Sequence, residues 1–390
     1  MKYLRLLFIF VFVSLALGEL LTRAFIPIDP MKRSLDRSED HPYIRTDWIP
    51  GFETTYTVEG IAGQRGTMKF KINEFGFRSS SMKTAKKTSG VYRIFFLGGS
   101  TTENLYLPEE KTFSYLVEKN LNQIYPDRKF ESINGGISGY LAADVLTTLI
   151  YKVMYYEPDA VVVMLGVNDL RYGTIPSFDP IHRLQYRKTL YTPGFEEGAW
   201  PTLAKLLKRS HFLTLIKWRL INRLFPPDAE RHKSRIEQFD AWRRERKQVP
   251  FTPISESKSY DDFIKYLKEI IFICQGHGVR LILMTEPSVY QENLPPQIDE
   301  RLWMGWLGAA SHLKINLSPE FLYREMNRFN NAVKELSQKY NVELIDLERE
   351  IPKNLDYFFD DVHLTPLGAE RASEFISSHF LNEQPQTAAA

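Results

Sequence analysis

The chain of 390 residues has a single cysteine, Cys274, so it forms no intramolecular disulfide bond. This cysteine lies in an apolar stretch with helical spacing, where we expect a small buried hydrophobic residue. The eight histidines and the cysteine form no zinc-type cluster. Neither a disulfide framework nor a zinc-binding module therefore organises the chain.

The chain also has little net charge, because its Lys, Arg, Asp and Glu sum to +2. A balance so near neutrality gives no overall attraction to nucleic acid, which we exclude as a partner. With 43% hydrophobic residues, the composition is that of a globular protein and excludes wholesale disorder. No internal repeat is present, and only residues 383–390 have the composition of a disordered tail.

The N-terminus lacks an apolar run long enough to be an unambiguous membrane span. Lys2 and Arg5 precede an apolar run over residues 6–17, shorter than the roughly 20 residues that a spanning helix needs. A basic start before such a run is typical of an export signal, and Gly18 suits a cleavage site. Residues 1–26 are thus a signal peptide or an N-terminal membrane anchor, and both alternatives predict an extracytoplasmic protein.

Two kinds of pattern follow this segment. Residues 27–90 are rich in turn formers with short alternating stretches, which predicts a small β-hairpin or an extended arm that leads to the main domain. From residue 91 onward, short apolar runs alternate with helical patterns. The apolar runs are residues 92–97, 130–134, 160–165, 279–285 and 342–347. This alternation predicts an α/β domain over 91–382 with a parallel sheet covered on both faces, whose site lies at the carboxyl ends of the strands.

Residues 171–259 interrupt the alternation and form a basic insert. Apolar residues have helical spacing over 203–225, and residues 205–247 contain thirteen Lys and Arg against five Asp and Glu. One interpretation is a cap over the sheet with a solvated basic face. The other is a surface that contacts anionic membrane lipid or an acidic polymer.

Four short segments with chemically useful side chains follow predicted strands: GGST at 98–101, NGGISG at 134–139, GVND at 166–169 and DDVH at 360–363. Ser100 comes directly after two glycines, which let the chain turn sharply and expose the hydroxyl. It is a candidate nucleophile, although a serine here also suits a helix N-cap. The segment has neither the Gly-x-Ser-x-Gly spacing nor the lysine of a phosphate-binding loop.

His363 is the candidate base for Ser100, because it lies in a short polar loop three residues after a carboxylate. Asp360 can accept from one imidazole nitrogen while the other faces the serine hydroxyl. Asp361 competes for that role, but the three-residue offset favours Asp360. The same loop also suits a helix start at Pro366.

Gly139 and Asn168 complete the candidate site. An attacked ester carbonyl collects negative charge, which the backbone N–H groups of Ser100 and Gly139 and the side-chain amide of Asn168 can stabilise. Taken alone, Gly139 is equally typical of a turn and Asn168 of a cap. We expect Asp169 to order its loop rather than take part in chemistry.

Together, the four segments resemble the conserved blocks of the SGNH (GDSL-type) hydrolase family, named for its Ser, Gly, Asn and His. The matching residues are Ser100, Gly139, Asn168 and the pair Asp360 and His363. The resemblance covers roughly residues 91–170 and 279–380. In one departure, Gly99 stands where the family has the aspartate of Gly-Asp-Ser, which usually steadies the oxyanion loop.

The resemblance implies a three-layer α/β/α sandwich with a parallel, flavodoxin-like sheet. It also implies acyl-group hydrolysis or transfer with no metal and no organic cofactor. We therefore expect a carboxylic ester hydrolase in which Ser100, Asp360 and His363 are catalytic and Ser100, Gly139 and Asn168 form the oxyanion hole. An O-acetyl ester on an envelope polysaccharide is the first expected substrate. The alternatives are an O-acetyltransferase, a lysophospholipase-type lipid esterase and a non-catalytic envelope-binding module.

Overall fold

The computed structural model describes most of the chain. The described residues are 2–25, 37–38, 43–44, 46–176, 178, 212, 229–307 and 314–382. Apart from Phe212, the basic helical segment expected over 203–225 lies outside them, as does the tail expected over 383–390. The chain divides into two compact units, one of residues 1–38 with 194–231 and one of residues 39–193 with 232–390.

In the first unit, α1 (Lys2–Phe25) is a helix of 24 residues and β1 (Arg37–Ser38) is a two-residue strand. The carboxylate of Glu19, within α1, accepts the backbone N–H of Phe212 at 3.0 Å. A membrane anchor was one of the two expectations for this segment. No helix among the described residues combines the length and the apolar character needed to cross a membrane.

The second unit begins with β2 (Asp47–Trp48) and an antiparallel hairpin of β3 (Glu53–Ile61) and β4 (Gln64–Lys71). The inward-facing residues of the hairpin are buried: Val58, Met68 and Phe70 are at most 4% exposed. These side chains join the same hydrophobic core as the central sheet. The hairpin expected within 27–90 is thus integrated into the core of the domain.

A five-stranded parallel sheet forms the centre of this unit. Its strands are β5 (Val91–Gly98), β6 (Lys129–Asn134), β7 (Ala160–Met164), β8 (Arg280–Met284) and β9 (Glu343–Ile345). They lie in the order β6-β5-β7-β8-β9. All residues of β5 and β7 are buried. This is expected for apolar strands in a parallel sheet whose two faces are both covered. The predicted α/β class with a parallel sheet is confirmed.

Helices flank this sheet. They are α2 (Ser100–Glu103), α3 (Phe113–Ile124), α4 (Ala142–Tyr151), α5 (Val167–Tyr172), α6 (Ala229–Gln248), α7 (Tyr260–Gly276), α8 (Pro296–Asp299), α9 (Pro319–Tyr340), α10 (Leu347–Glu350) and α11 (Pro366–Asn382), with 3-10 turns at Glu109–Lys111 and Val153–Tyr156. Helix α3 packs against α11, and α7 packs against α4 and α9. Three of the four segments follow the carboxyl ends of β5, β6 and β7, and the fourth, residues 360–363, lies between α10 and α11.

Cys274 lies in α7 and is fully buried, as predicted. Burial raises the pKa of its thiol to about 12, because the apolar surroundings disfavour the thiolate. A thiol that stays protonated at neutral pH is a poor nucleophile. The structure therefore makes Cys274 a packing residue.

Candidate active site

Ser100 is the first residue of α2, directly after the carboxyl end of β5. Gly99 is the N-cap, and its carbonyl accepts the backbone N–H groups of Thr102 and Glu103 at 3.2 and 3.0 Å. The hydroxyl of Ser100 is therefore not used as a cap, the structural alternative considered for it. Its Oγ lies 2.8 Å from Nε2 of His363.

The other imidazole nitrogen of His363, Nδ1, lies 2.9 Å from Oδ1 and 2.8 Å from Oδ2 of Asp360. Oδ1 also accepts the backbone N–H groups of Val362 and His363, which fixes the carboxylate in the loop. An ionised carboxylate only accepts, so Nδ1 carries the imidazole proton and Nε2 is left to accept from Ser100. The three side chains form one hydrogen-bonded chain.

The charges around these side chains favour a protonated His363 beside an ionised Asp360. Burial disfavours the imidazolium, but the carboxylates of Asp360, Asp361 and Glu286 outweigh it, so the pKa of His363 is raised. For Asp360, burial is again the largest single influence, yet His363 and the hydrogen bonds around the carboxylate lower its pKa overall. Asp360 is therefore a carboxylate at neutral pH, ready to stabilise an imidazolium.

Trp303 supports Asp360 and was not identified from the sequence. Its indole N–H donates to Oδ2 of Asp360 at 2.9 Å. The Trp303 ring is nearly parallel to the imidazole of His363, with 6.4 Å between centroids, and the ring of Phe359 lies 5.5 Å from the same imidazole. Two aromatic rings thus stack with the imidazole of His363, whose side chain is 9% exposed, while the indole N–H orients its carboxylate.

Asp361, the competing carboxylate, has a different set of partners. It accepts from the hydroxyl of Tyr290 at 2.8 Å and from the backbone N–H groups of Trp303 and Met304 at 2.8 and 3.2 Å. Burial raises its pKa. The structure brings Asp360 to His363, whereas Asp361 holds the segment that positions Trp303.

The loop with Gly139 lies against the nucleophile segment. The backbone N–H of Ile137 donates to the carbonyl of Gly98 at 3.1 Å, and that of Ser138 donates to the carboxylate of Glu103 at 2.9 Å. Gly139 has φ +80, a left-handed conformation that favours glycine. Glu103, in α2, was also missed by the sequence reasoning, and it ties the nucleophile helix to the glycine loop.

Asn168 lies in the first turn of α5 and is 5% exposed. Its side-chain amide donates to the carbonyl of Tyr140 at 3.1 Å, which orients the amide group. The next residue, Asp169, accepts the backbone N–H of Ala142 at 3.1 and 3.2 Å. Asp169 thus ties α5 to the start of α4, an ordering role of the kind expected for it.

The start of α11 has the expected cap. The hydroxyl of Thr365 accepts the backbone N–H of Gly368 at 3.2 Å, and Pro366 is the first helical residue. The loop of Asp360 and His363 thus leads directly into a capped helix start. Across the residues that the structure describes, no cluster of three or more His, Cys, Asp or Glu side chains is arranged to hold a metal ion.

No protein-family model matches the chain, and no curated protein matches it. Solved structures are similar to it. An acetyl xylan esterase is 15% identical, with a TM-score of 0.39 over 74% of this chain and 98% of that chain. An acetylxylan esterase from Geobacillus stearothermophilus is 14% identical, with a TM-score of 0.40 over 75% of this chain and 93% of that one.

A further similar structure is a G-D-S-L family protein from Desulfitobacterium hafniense DCB-2. It is 10% identical to this chain, with a TM-score of 0.38 over 73% of this chain and 98% of that one. The chain is thus similar to solved acetyl xylan esterases and to a G-D-S-L family structure.

Proposed function

We propose that this protein is an extracytoplasmic serine esterase that hydrolyses acyl esters, with an O-acetyl ester as the first substrate class. The observation that carries the proposal is the hydrogen-bonded chain from Ser100 through His363 to Asp360, with 2.8 Å between Ser100 Oγ and His363 Nε2. A serine hydroxyl is a weak nucleophile until an adjacent base accepts its proton.

In the first half of the reaction, Oγ of Ser100 attacks the ester carbonyl carbon while its proton moves to Nε2 of His363. The imidazolium that forms is stabilised by the carboxylate of Asp360. The carbonyl π electrons move to oxygen, and the tetrahedral intermediate then expels the alcohol. This alcohol takes the proton from His363, which leaves an acyl group on Ser100.

The oxyanion needs donors placed before the reaction. The backbone N–H groups of Ser100 and Gly139 and the side-chain amide of Asn168 are the proposed donors. Asn168 has two amide hydrogens, and Tyr140 accepts one of them, so the amide is oriented while the second hydrogen serves the oxyanion. In the second half of the reaction, water attacks the acyl carbon while His363 takes one of its protons. The second tetrahedral intermediate then breaks its bond to Ser100, whose Oγ takes the proton back from His363, and the acyl group leaves as a carboxylic acid.

The extracytoplasmic location is supported by the sequence alone, namely the apolar run over residues 6–17 behind Lys2 and Arg5. Fractionation of cells that express the full chain tests it. An exported protein is accessible to protease added to spheroplasts. Protection from that protease would contradict the proposed location.

The activity is tested with the purified full-length protein and p-nitrophenyl esters of increasing acyl length. We expect turnover with the acetyl ester, and a loss of at least about 10⁴-fold in kcat for Ser100→Ala and His363→Ala. A fluorophosphonate probe should label the wild type at Ser100 and leave Ser100→Ala unlabelled. A well-folded wild-type protein that neither hydrolyses the esters nor reacts with the probe would overturn the proposal. A protein that reacts with the probe, but forms product only when an acceptor sugar is added, would be identified as an acyltransferase.

A further inference from the structure

Glu286 lies just beyond the carboxyl end of β8 and is 2% exposed, yet the triad does not use it. Its Oε1 accepts the hydroxyl of Thr101 at 2.7 Å. Its Oε2 accepts the backbone N–H of Val167, also at 2.7 Å. Both carboxylate oxygens are therefore occupied by short hydrogen bonds from two different segments of the site.

These two donors are sequence neighbours of the proposed reacting groups. Thr101 follows Ser100 in α2, and Val167 precedes Asn168 in α5. A single carboxylate thus connects the residue next to the nucleophile with the residue next to the oxyanion amide. Since both helices are short, this connection fixes the separation of their first turns.

Glu286 is itself held firmly. Its backbone N–H donates to Oδ1 of Asn330 at 2.9 Å, and its carbonyl accepts from Nδ2 of the same side chain at 3.0 Å. Asn330 belongs to the long helix α9 and is 2% exposed. The carboxylate is therefore supported by an element that packs on the sheet rather than by a mobile loop.

Several carboxylates influence the histidine from different elements. Asp360 and Asp361 lie on the loop of His363 itself, and Glu286 reaches it from the end of β8. All three favour the imidazolium and raise the pKa of His363, with Asp360 making the largest contribution of the three. Burial raises the pKa of Glu286, while Thr101, Val167 and the positive charge of His363 oppose that effect.

We propose that Glu286 is a positioning residue for this reaction, holding Ser100 and Asn168 in register and stabilising the imidazolium of His363. The inference rests on the proposed esterase function. It assigns to Glu286 no contact with substrate. Its effect passes through Thr101, Val167 and the electrostatic field at His363.

The test replaces the carboxylate by a neutral group of the same shape in Glu286→Gln. We expect kcat to fall between about 10- and 100-fold with little change in KM, the range for a small displacement of reacting groups. The acid limb of kcat/KM should move to lower pH, because the imidazolium loses a stabilising negative charge. Glu286→Asp, which keeps the charge but shortens the side chain, should retain the acid limb of the wild type and recover only part of kcat.

A control exists in Glu118, a half-buried glutamate whose pKa is also raised by burial. It accepts a backbone N–H from Ser132 at 2.6 Å and the hydroxyl of Ser81 at 2.7 Å, and neither donor belongs to the four site segments. Glu118→Gln should leave kcat and the pH profile unchanged. An equal loss of activity in both variants would mean that Glu286 matters only for folding, which overturns the inference.

A second measurement does not depend on turnover. In protein labelled on the histidine rings, NMR follows the titration of His363, identified by the signal that is missing in His363→Gln. A lower pKa for His363 in Glu286→Gln than in the wild type supports the inference, and an unchanged pKa overturns it. Fluorophosphonate labelling of the wild type tests the esterase function separately. A failure of the proposed role of Glu286 can therefore be distinguished from a failure of the proposed esterase function.

Discussion

The side-chain amide nitrogen of Asn168 lies 2.6 Å from the position that a Cβ on Gly99 would occupy. Any other residue at position 99 would have to displace this amide. The glycine that replaces the family's aspartate is therefore matched to the placement of Asn168 in this chain. Its φ of −86 is open to other residues, so the requirement is one of space.

We expect Gly99→Ala to reduce kcat by about 10²-fold, the effect of displacing one oxyanion donor. The free energy of unfolding should change by no more than about 1 kcal/mol, because alanine accepts this backbone conformation. Steady-state kinetics and urea unfolding measure the two effects. Gly276→Ala is the control, since a Cβ there meets open space. An unchanged kcat in Gly99→Ala would show that the Asn168 amide is not a required donor.

The two neighbouring aspartates should differ in their roles. Asp360→Asn should lower kcat by roughly 10⁴-fold, because the amide no longer fixes the tautomer or stabilises the imidazolium. In the wild type the raised pKa of His363 places the acid limb of kcat/KM above pH 6.5, the ordinary value for histidine. Removing the charge of Asp360 lowers that pKa and moves the limb to lower pH.

Asp361→Asn should instead lower stability, since Asp361 accepts from Tyr290, Trp303 and Met304 rather than from His363. We expect a loss of about 1–3 kcal/mol in the free energy of unfolding, typical of a disrupted buried hydrogen-bond set. Urea unfolding measures it beside the kinetics of both variants. Greater loss of activity in Asp361→Asn than in Asp360→Asn would reverse this assignment.

Trp303→Phe removes the indole N–H from Asp360 and keeps an aromatic ring near His363. The carboxylate loses a donor that stabilises its charge, so it attracts the imidazole proton more strongly. We expect the acid limb of kcat/KM to move to higher pH. We also expect kcat to fall about tenfold, which corresponds to an increase of about 1.4 kcal/mol in the activation free energy.

The pH dependence of kcat/KM measures this shift, whose sign is opposite to that for Asp360→Asn. Trp306→Phe provides the control, because the Trp306 indole N–H donates to Glu245 at 2.9 Å rather than to the triad. An unchanged acid limb of kcat/KM in Trp303→Phe would mean that the hydrogen bond from the Trp303 indole to Asp360 has no influence on the pKa of His363.

Lys152 ties the N-terminal part of the domain to α4. Its ammonium donates to both carboxylate oxygens of Asp47 at 2.8 and 2.7 Å and to the carbonyl of Gly76 at 2.9 Å. Lys152→Met should lower the free energy of unfolding by about 3 kcal/mol, because it leaves a largely buried carboxylate unpaired. Denaturant unfolding should show recovery in the double variant Lys152→Met, Asp47→Leu. A double variant no more stable than the single one would contradict this account.

Much of the sheet was predictable because strands buried on both faces are continuous apolar runs. Residues 160–165 are such a run, and β7 (Ala160–Met164) coincides with it. The segments of Ser100, Gly139 and Asn168 were predictable for a related reason, since residues that follow such runs meet at one edge of the sheet. The packing of the β3–β4 hairpin was not predictable. Alternation of apolar and polar residues identifies the buried face of a strand, but it does not identify the part of the protein that packs against that face.

Glu286 and Trp303 were missed for different reasons. Glu286 lies two residues beyond the end of β8, which is the same kind of position as that of Ser100 after β5. Trp303 lies in an irregular segment after α8, where no periodic pattern marks its direction. Its partner Asp360 is 57 residues away along the chain, and only the folded structure brings the two together.

The hydrogen bond between Ser100 and His363 joins residues 263 positions apart. During synthesis the nucleophile leaves the ribosome long before its base is translated, and at typical rates the interval is of the order of 10–50 s. Throughout that interval the serine is no more reactive than any alcohol. Under the proposed function, the growing chain therefore does not attack esters around it, and the onset of activity reports that its distant segments have come together.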